Sequence, residues 1–397
     1  MQNVGIDWHI YLLTHSPLAL GAVGLVRVVP LVFFSIWGGV VADRYDRKRV
    51  QFTTQSVMAL GALLLALATW THRDALWLIY LLTALNAAAL AFDGPARQSL
   101  VPRLVPADDL PGALSLNLTF LHVGMIAGPS LAGIIIAATA GEHAMRGLAV
   151  LYVANALSFV AVLGALLALR TSGRPERTGE TPERWLESLR TAARFLFSTP
   201  IIVWTMSLDF FATFFSGAIS LLPIVADQLL HVGAAGYGWL RAAFGAGALV
   251  ASFFTAVHPL PRKQGPILLW SVAAYGAATM VYGLSHNFLL TLAALACSGA
   301  ADLVSTVVRQ TLRQVLTPDA LRGRITAMNM IFFIGGPQLG EAEAGFVASL
   351  FHPAALGVMV SIASGGAATL LVVGCVAAIT PVVRRYTLGG AALSSKL

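Results

Sequence analysis

Seven ionisable residues of this chain stand inside stretches made almost wholly of Leu, Ala, Val, Phe and Gly: Asp7, Arg27, Asp209, Arg241, Asp302, Glu341 and Glu343. Asp93 and Asp227 stand nearer the ends of such stretches. A charge in apolar surroundings is costly and is kept where it pairs, relays a proton or meets a ligand. A carboxyl that alternates between wet and dry surroundings changes its proton affinity, so it can couple solute movement to a proton gradient. Asp7 and Glu341 are the leading candidates for that role, followed by Asp209 and Asp302. Glu341 and Glu343 are two apart, about 200° around a helix, so they cannot both face one cavity squarely. Arg27 and Arg241 either neutralise acids structurally or, with Glu343, line a cavity for a substrate. His9 and His122 read either as hydrogen-bonded packing residues or as proton relays.

A second constellation is Gly39-Val40-Val41-Ala42-Asp43-Arg44-Tyr45-Asp46-Arg47-Lys48-Arg49. The four bases could simply orient the chain in a membrane, but an acid among them does not help orientation. The sequence also has no P-loop, so nucleotide-driven chemistry is unsupported, and no cofactor or metal is expected. Cys297 and Cys375 sit singly in apolar runs, where each acts as a small hydrophobe.

The elements that must hold these groups are membrane helices. Of 397 residues 57% are hydrophobic and 11% charged, and the mean hydropathy is +0.78; a soluble core could not hide that much apolar surface. Runs of about 20 apolar residues specify helices rather than the shorter alternating strands of a barrel. Spans are expected at 17–41, 51–70, 76–93, 112–140, 147–170, 199–223, 235–257, 266–284, 287–307, 325–351 and 354–380. Met1 to Leu13 is apolar too, but thirteen helical residues reach only ~20 Å against a ~30 Å hydrocarbon core. It reads as the outer half of a first helix, truncated or begun at a misplaced start.

Basic residues fall in alternate connections: Arg44 to Arg49, Arg97 and Arg103, Arg170 to Arg194, Arg262 and Lys263, Arg309 to Arg324, and Arg384, Arg385 and Lys396. The opposite connections hold Arg73 and Arg146. This bias places every even-numbered span end, and the C-terminus, in the cytoplasm. The net charge of +7 therefore encodes orientation rather than a nucleic-acid partner.

The chain divides into an N-terminal bundle (1–170), a cytoplasmic linker with an amphipathic helix (171–198), a C-terminal bundle (199–385) and a tail (386–397). The halves repeat. Arg97-Gln98-Ser99-Leu100 through Pro106 to Asn117 is matched by Arg309-Gln310-Thr311-Leu312 through Pro318 to Asn329. Gly24-Leu25-Val26-Arg27 is echoed by Gly238-Trp239-Leu240-Arg241. Arg27 and Arg241 are thus repeat-equivalent.

This organisation resembles the major facilitator superfamily, whose signature between the second and third helices is matched by Gly39, Asp43, Arg44, Arg47, Lys48 and Arg49. Asp46 stands where that signature usually has Gly. Gly124, Gly128, Pro129 and Gly133 in the fifth helix resemble the antiporter motif of proton-coupled exporters, with Ala132 in place of a Gly. Gly94-Pro95-Ala96-Arg97-Gln98 and Gly336-Pro337-Gln338-Leu339-Gly340 resemble the branch of enterobactin exporters and macrolide efflux proteins. The resemblance implies two six-helix bundles related by a parallel repeat. It also implies a cytoplasmic gate in which Asp43 meets the start of the eleventh helix near Gly323, Arg324 and Ile325, and a kinked glycine-rich seal in the fifth. The expected function is proton-coupled export of a small amphiphilic molecule, siderophore or drug, by a monomer in the bacterial inner membrane. An importer or facilitator on the same fold is the alternative, and a receptor, scaffold or enzyme is disfavoured.

Overall fold

The computed structural model describes residues 1–100, 104–106, 109–139, 144–169, 190–191, 193–258 and 260–387, and every regular element among them is helical. The helices are α1 (Gln2–Thr14), α2 (Pro17–Arg44), α3 (Arg47–Trp70), α4 (Leu76–Leu100), α5 (Leu110–Ala138) and α6 (Ala144–Ala168). They continue as α7 (Pro200–Phe215), α8 (Gly233–Val257), α9 (Gln264–Leu284), α10 (Phe288–Leu316), α11 (Asp319–Ser349), α12 (Ala354–Ile379) and the short α13 (Pro381–Arg384). Each of the eleven expected spans overlaps a helix, and eight of the described helices, together with the segment Pro200–Leu229 that begins with α7, are long and apolar enough to cross a membrane. Their exposed faces carry Leu63, Leu67, Phe253, Leu289 and Leu371, and Cys297 and Cys375 are exposed as well. Lipid is the solvent such faces require.

Several boundaries differ from the sequence expectation. Helix α10 runs on to Leu316 and α4 to Leu100, because Val308 and Leu312 continue the buried face of α10 past the first bases. Gly39 to Arg44 is not a loop but the end of α2, and Arg47 opens α3. Only Tyr45 and Asp46 connect them, since the Asp46 carboxylate caps α3 by accepting from the amides of Lys48 (2.9 Å) and Arg49 (3.4 Å). The expected span 199–223 is broken: α7 stops at Phe215, and the chain resumes through a 3₁₀ turn (Ile219–Leu221) and a π turn (Val225–Leu229). The break falls where Gly217 lies against Gly340 and the Pro337 carbonyl of α11, an approach that leaves no room for a side chain. Of the expected linker helix, 193–198 is helical, and 170–189 lies outside the described residues.

The chain forms two compact units, Met1–Thr178 with Leu222–Ala242, and Gly179–Leu221 with Ala243–Leu397. In the first, α2 packs on α4, α3 on α4 and α6, and α1 touches α2, α4, α5 and α6. In the second, α9 packs on α10 and α12, and α7 on α11 and α12. Without a hydrophobic drive between helices in lipid, close approach depends on small residues. Gly38 lies on the Ala91 carbonyl, and Gly299 on that of Phe244. Polar pairs add to this: Asp93 accepts from Thr54 Oγ1 (3.1 Å) and Gln55 Nε2 (3.0 Å), joining α4 to α3.

Candidate functional site

Helix α1 carries several buried polar residues, and they find partners on several surrounding elements. Gln2 Oε1 accepts from Asn155 Nδ2 of α6 at 2.8 Å. His9, fully buried, lies with Nε2 2.8 Å from Asp74 Oδ2 and Nδ1 3.2 Å from the Tyr152 hydroxyl. With a proton on Nε2 the ring donates to Asp74, leaving Nδ1 to the Tyr152 hydroxyl. Burial alone would raise the Asp74 carboxyl, but the hydrogen bond and charge of His9 outweigh it and hold it below its ordinary value. Tyr11 donates its hydroxyl to Asp227, in the segment after the α7 break.

At the centre of this helix Asp7 has no exposed surface. Arg27 of α2 donates from Nη2 to Asp7 Oδ1 at 3.1 Å, and Arg241 of α8 places Nη2 3.8 Å from Oδ2. The two repeat-equivalent arginines therefore converge on one carboxylate. A crossing of bare backbones puts Arg241 there: Gly133 of α5 and Gly238 of α8 abut so closely that a side chain on either would collide with the other's main chain. One turn of α8 beyond Gly238 comes Arg241. Trp8 stacks on Tyr237 with centroids 5.1 Å apart, and the Tyr237 hydroxyl donates to the Val4 carbonyl at 3.1 Å.

The second unit holds its own cluster. Arg309 of α10 pairs with Asp209 of α7 and donates to Thr306 Oγ1 at 2.8 Å. Asp302, two turns before Arg309, lines a cavity with Asp209, Thr213, Tyr275 and Ser305. Arg309, read from sequence as a charge of a cytoplasmic connection, is in fact buried. Its signal was present in Val308 and Leu312, which continue the helical apolar spacing on either side.

The remaining expected residues are spread over both units. Glu341 is buried and Glu343 half-buried on α11. Gly128 lies beside the Met1 amino group, whereas Gly124 faces open space. Of the three motif glycines, only Gly133 makes the tight crossing. Lys48 donates from Nζ to the Leu169 carbonyl at 2.6 Å, at the C-terminal end of α6, where a cation is favoured. Arg44 is exposed, and Arg47 and Arg324 are half-buried. The side chains of Asp43 and His122, and the surroundings of Gly323, lie outside what is described. Asp74, Tyr152 and Tyr237 were not singled out by the sequence, because one acid in a connection and two tyrosines in apolar runs carry no distinguishing pattern.

A bundle of apolar helices enclosing repeat-related guanidinium groups agrees with the comparison of the whole chain with known proteins. The family described as transmembrane secretion effector matches residues 1–388. The chain belongs to this family, within the major facilitator superfamily. The enterobactin exporter EntS of Citrobacter koseri is 30% identical over 356 residues, covering 89% of this chain and 83% of that protein. The protein of the same name from Escherichia coli O1:K1 is 28% identical over the same shares. Among solved structures, a D-xylose-proton symporter superposes with a TM-score of 0.72 at 14% identity over 97% of each chain. A bacterial homologue of the human lysosomal transporter Spinster, inward-facing and unoccupied, gives 0.69 at 15% identity over 98% of this chain and 95% of that one. The fold is that of the major facilitator transporters. The protein is a multi-pass membrane transporter of small molecules, not an enzyme.

Proposed function

We propose that this transporter is a proton-coupled exporter of a small amphiphilic molecule bearing anionic groups, such as a catecholate siderophore. It works by alternating access, as a monomer, in the bacterial inner membrane with its C-terminus in the cytoplasm. The observation that carries this reading is the convergence of Arg27 and Arg241 on Asp7. Arg27 holds Asp7 at hydrogen-bond distance, and the looser Arg241 guanidinium, 3.8 Å from the same carboxylate, suits an anionic substrate group. Asp7 is also the tie between α1 and α8, and a protonated Asp7 cannot hold two guanidiniums. Proton exchange there would make and break that tie, which is what coupling to a conformational change requires. Glu341 is the second proton candidate. The exporter direction and the siderophore class rest on the enterobactin exporters at 28–30% identity, and the orientation rests on the placement of basic residues.

At the cytoplasmic side, Asp43 is assigned the latch role with Arg44, Arg47, Lys48 and Arg324. Its carboxylate would meet the positive end of α11, a contact worth roughly 0.3–2 kcal/mol. Asp43→Asn is then expected to leave folding intact and lower transport, with changed cysteine accessibility from the periplasmic side.

The deciding experiment is transport by the full chain in proteoliposomes under an imposed pH gradient, with catecholate siderophores, macrolides and lipophilic cations compared. Gradient-stimulated movement of the catecholate is expected, with Asp7→Asn abolishing the stimulation while exchange at zero gradient partly survives. Transport that ignores the gradient, or a preference for cations, would falsify this reading.

A further inference from the structure

The cavity in the second unit is bounded by three helices, with Asp209 and Thr213 from α7, Tyr275 from α9, and Asp302, Ser305 and Arg309 from α10. Its volume is ≈ 10 Å³, about the room that one water-sized particle needs. The charges around it do not balance. Arg309 is committed to Asp209 and Thr306, and Asp302 forms no ion pair among the described residues. Arg313, one turn beyond Arg309, is half-buried and acts on Asp209, with no ion pair to either acid among the described residues. Ser305 lines the same cavity at 2% exposure, and its Oγ is buried with no hydrogen-bond partner. A buried carboxylate without a direct ion pair, beside an unsatisfied hydroxyl, is a costly combination unless something occupies the space between them.

We propose that this cavity binds one sodium ion through the Asp302 carboxylate, Ser305 Oγ and the Tyr275 hydroxyl, in competition with a proton on Asp302. Every donor is an oxygen, which suits a hard cation. One carboxylate without an ion pair of its own and a one-particle volume favour a monovalent ion over calcium, which takes six to eight oxygen ligands. The Tyr275 hydroxyl and the Asp209–Arg309 pair are the other ionisable groups facing the site. This inference does not rest on the exporter reading, because a stabilising ion is detectable without any transport.

The test is thermal unfolding of the purified full chain in detergent, with sodium chloride replacing choline chloride at constant ionic strength. In wild type, sodium is expected to raise Tm at pH 7.5, and the half-saturating concentration should rise at least fivefold at pH 5.5, where the proton competes. Asp302→Asn should abolish the response. Ser305→Ala, which keeps the carboxylate and changes one atom, should shift half-saturation severalfold upward, and it serves if Asp302→Asn does not fold. No sodium response in wild type, the same response in Asp302→Asn, or an unchanged midpoint in Ser305→Ala would each overturn the proposal.

Discussion

The two buried charge clusters are near inversions of each other. Among the described residues, one acid of the first unit, Asp7, faces two bases, Arg27 and Arg241; in the second, Arg309 pairs with Asp209, and Asp302 stands beside that pair without an ion pair of its own. Each contains one direct pair and one looser member. What differs is the balance of sign among these residues, and with it the kind of particle each cluster is proposed to take up: an anionic group in the first, a cation in the second. The repeat explains why charges stand at related depths. It does not set their sign, because Arg27 and Arg241 are repeat partners that meet at one place, whereas Arg309 is buried and its repeat partner Arg97 is exposed.

The largest effect should come from breaking the first cluster at its acid. Asp7→Ala leaves the buried Arg27 and the half-buried Arg241 guanidiniums facing each other, and a loss of about 3–5 kcal/mol is expected. Asp209→Ala should cost less, since Asp302 remains to attract Arg309. Tm in detergent, compared between the two variants, measures this, and equal losses would erase the distinction between the clusters.

Double-mutant cycles resolve the inside of the first cluster. Coupling between Asp7 and Arg27, at hydrogen-bond distance, should be about 1–3 kcal/mol, and that between Asp7 and Arg241 smaller. The reverse order would mean that the ties of α1 to α2 and to α8 are weighted differently from their geometry. The backbone crossing that delivers Arg241 offers a third comparison. Gly238→Leu is expected to lose about 1–3 kcal/mol through overpacking, whereas Gly124→Leu, which points into open space, should leave Tm unchanged.

Acid sensitivity provides a weaker probe, again confined to the first unit. The Asp74 carboxyl is held below its ordinary value when folded, so its contribution is fully present above about pH 3.9 and is lost as pH falls through the depressed folded value. The decline of Tm below about pH 4 should therefore be shallower in Asp74→Asn than in wild type. An unaltered acid limb would remove the His9–Asp74 pair from the account. The smallest effect is a control outside both clusters. Asp46→Gly, which restores the usual signature residue, should cost a few tenths of a kcal/mol as a cap replacement. A larger loss would mean that the cluster variants report general fragility.

Much of the architecture was legible because membrane helices announce themselves by length and apolarity, and eleven spans were placed on eleven helices. Their ends were less legible. Arg309 and Arg44 looked like loop charges, yet α10 and α2 carry them as helical residues, since a helix continues past the apolar limit when its buried face does. The break after Phe215 gave no local signal, as Gly217 is one of many glycines and its neighbours Pro337 and Gly340 are distant in sequence. At the candidate site, Asp7, Arg27 and Arg241 were visible individually as charges in apolar runs. Their meeting was not.

The sequence alone determined the solvent, the helical class, the repeat and which positions must hold a costly charge, because these depend on composition and spacing along the chain. Tertiary structure alone decided the pairing. Whether Arg27 and Arg241 share one acid, or Asp302 stands without a base, depends on which helices cross at a glycine contact such as Gly133 with Gly238. A side chain's neighbours across a bundle are set by that crossing, and not by its distance along the chain.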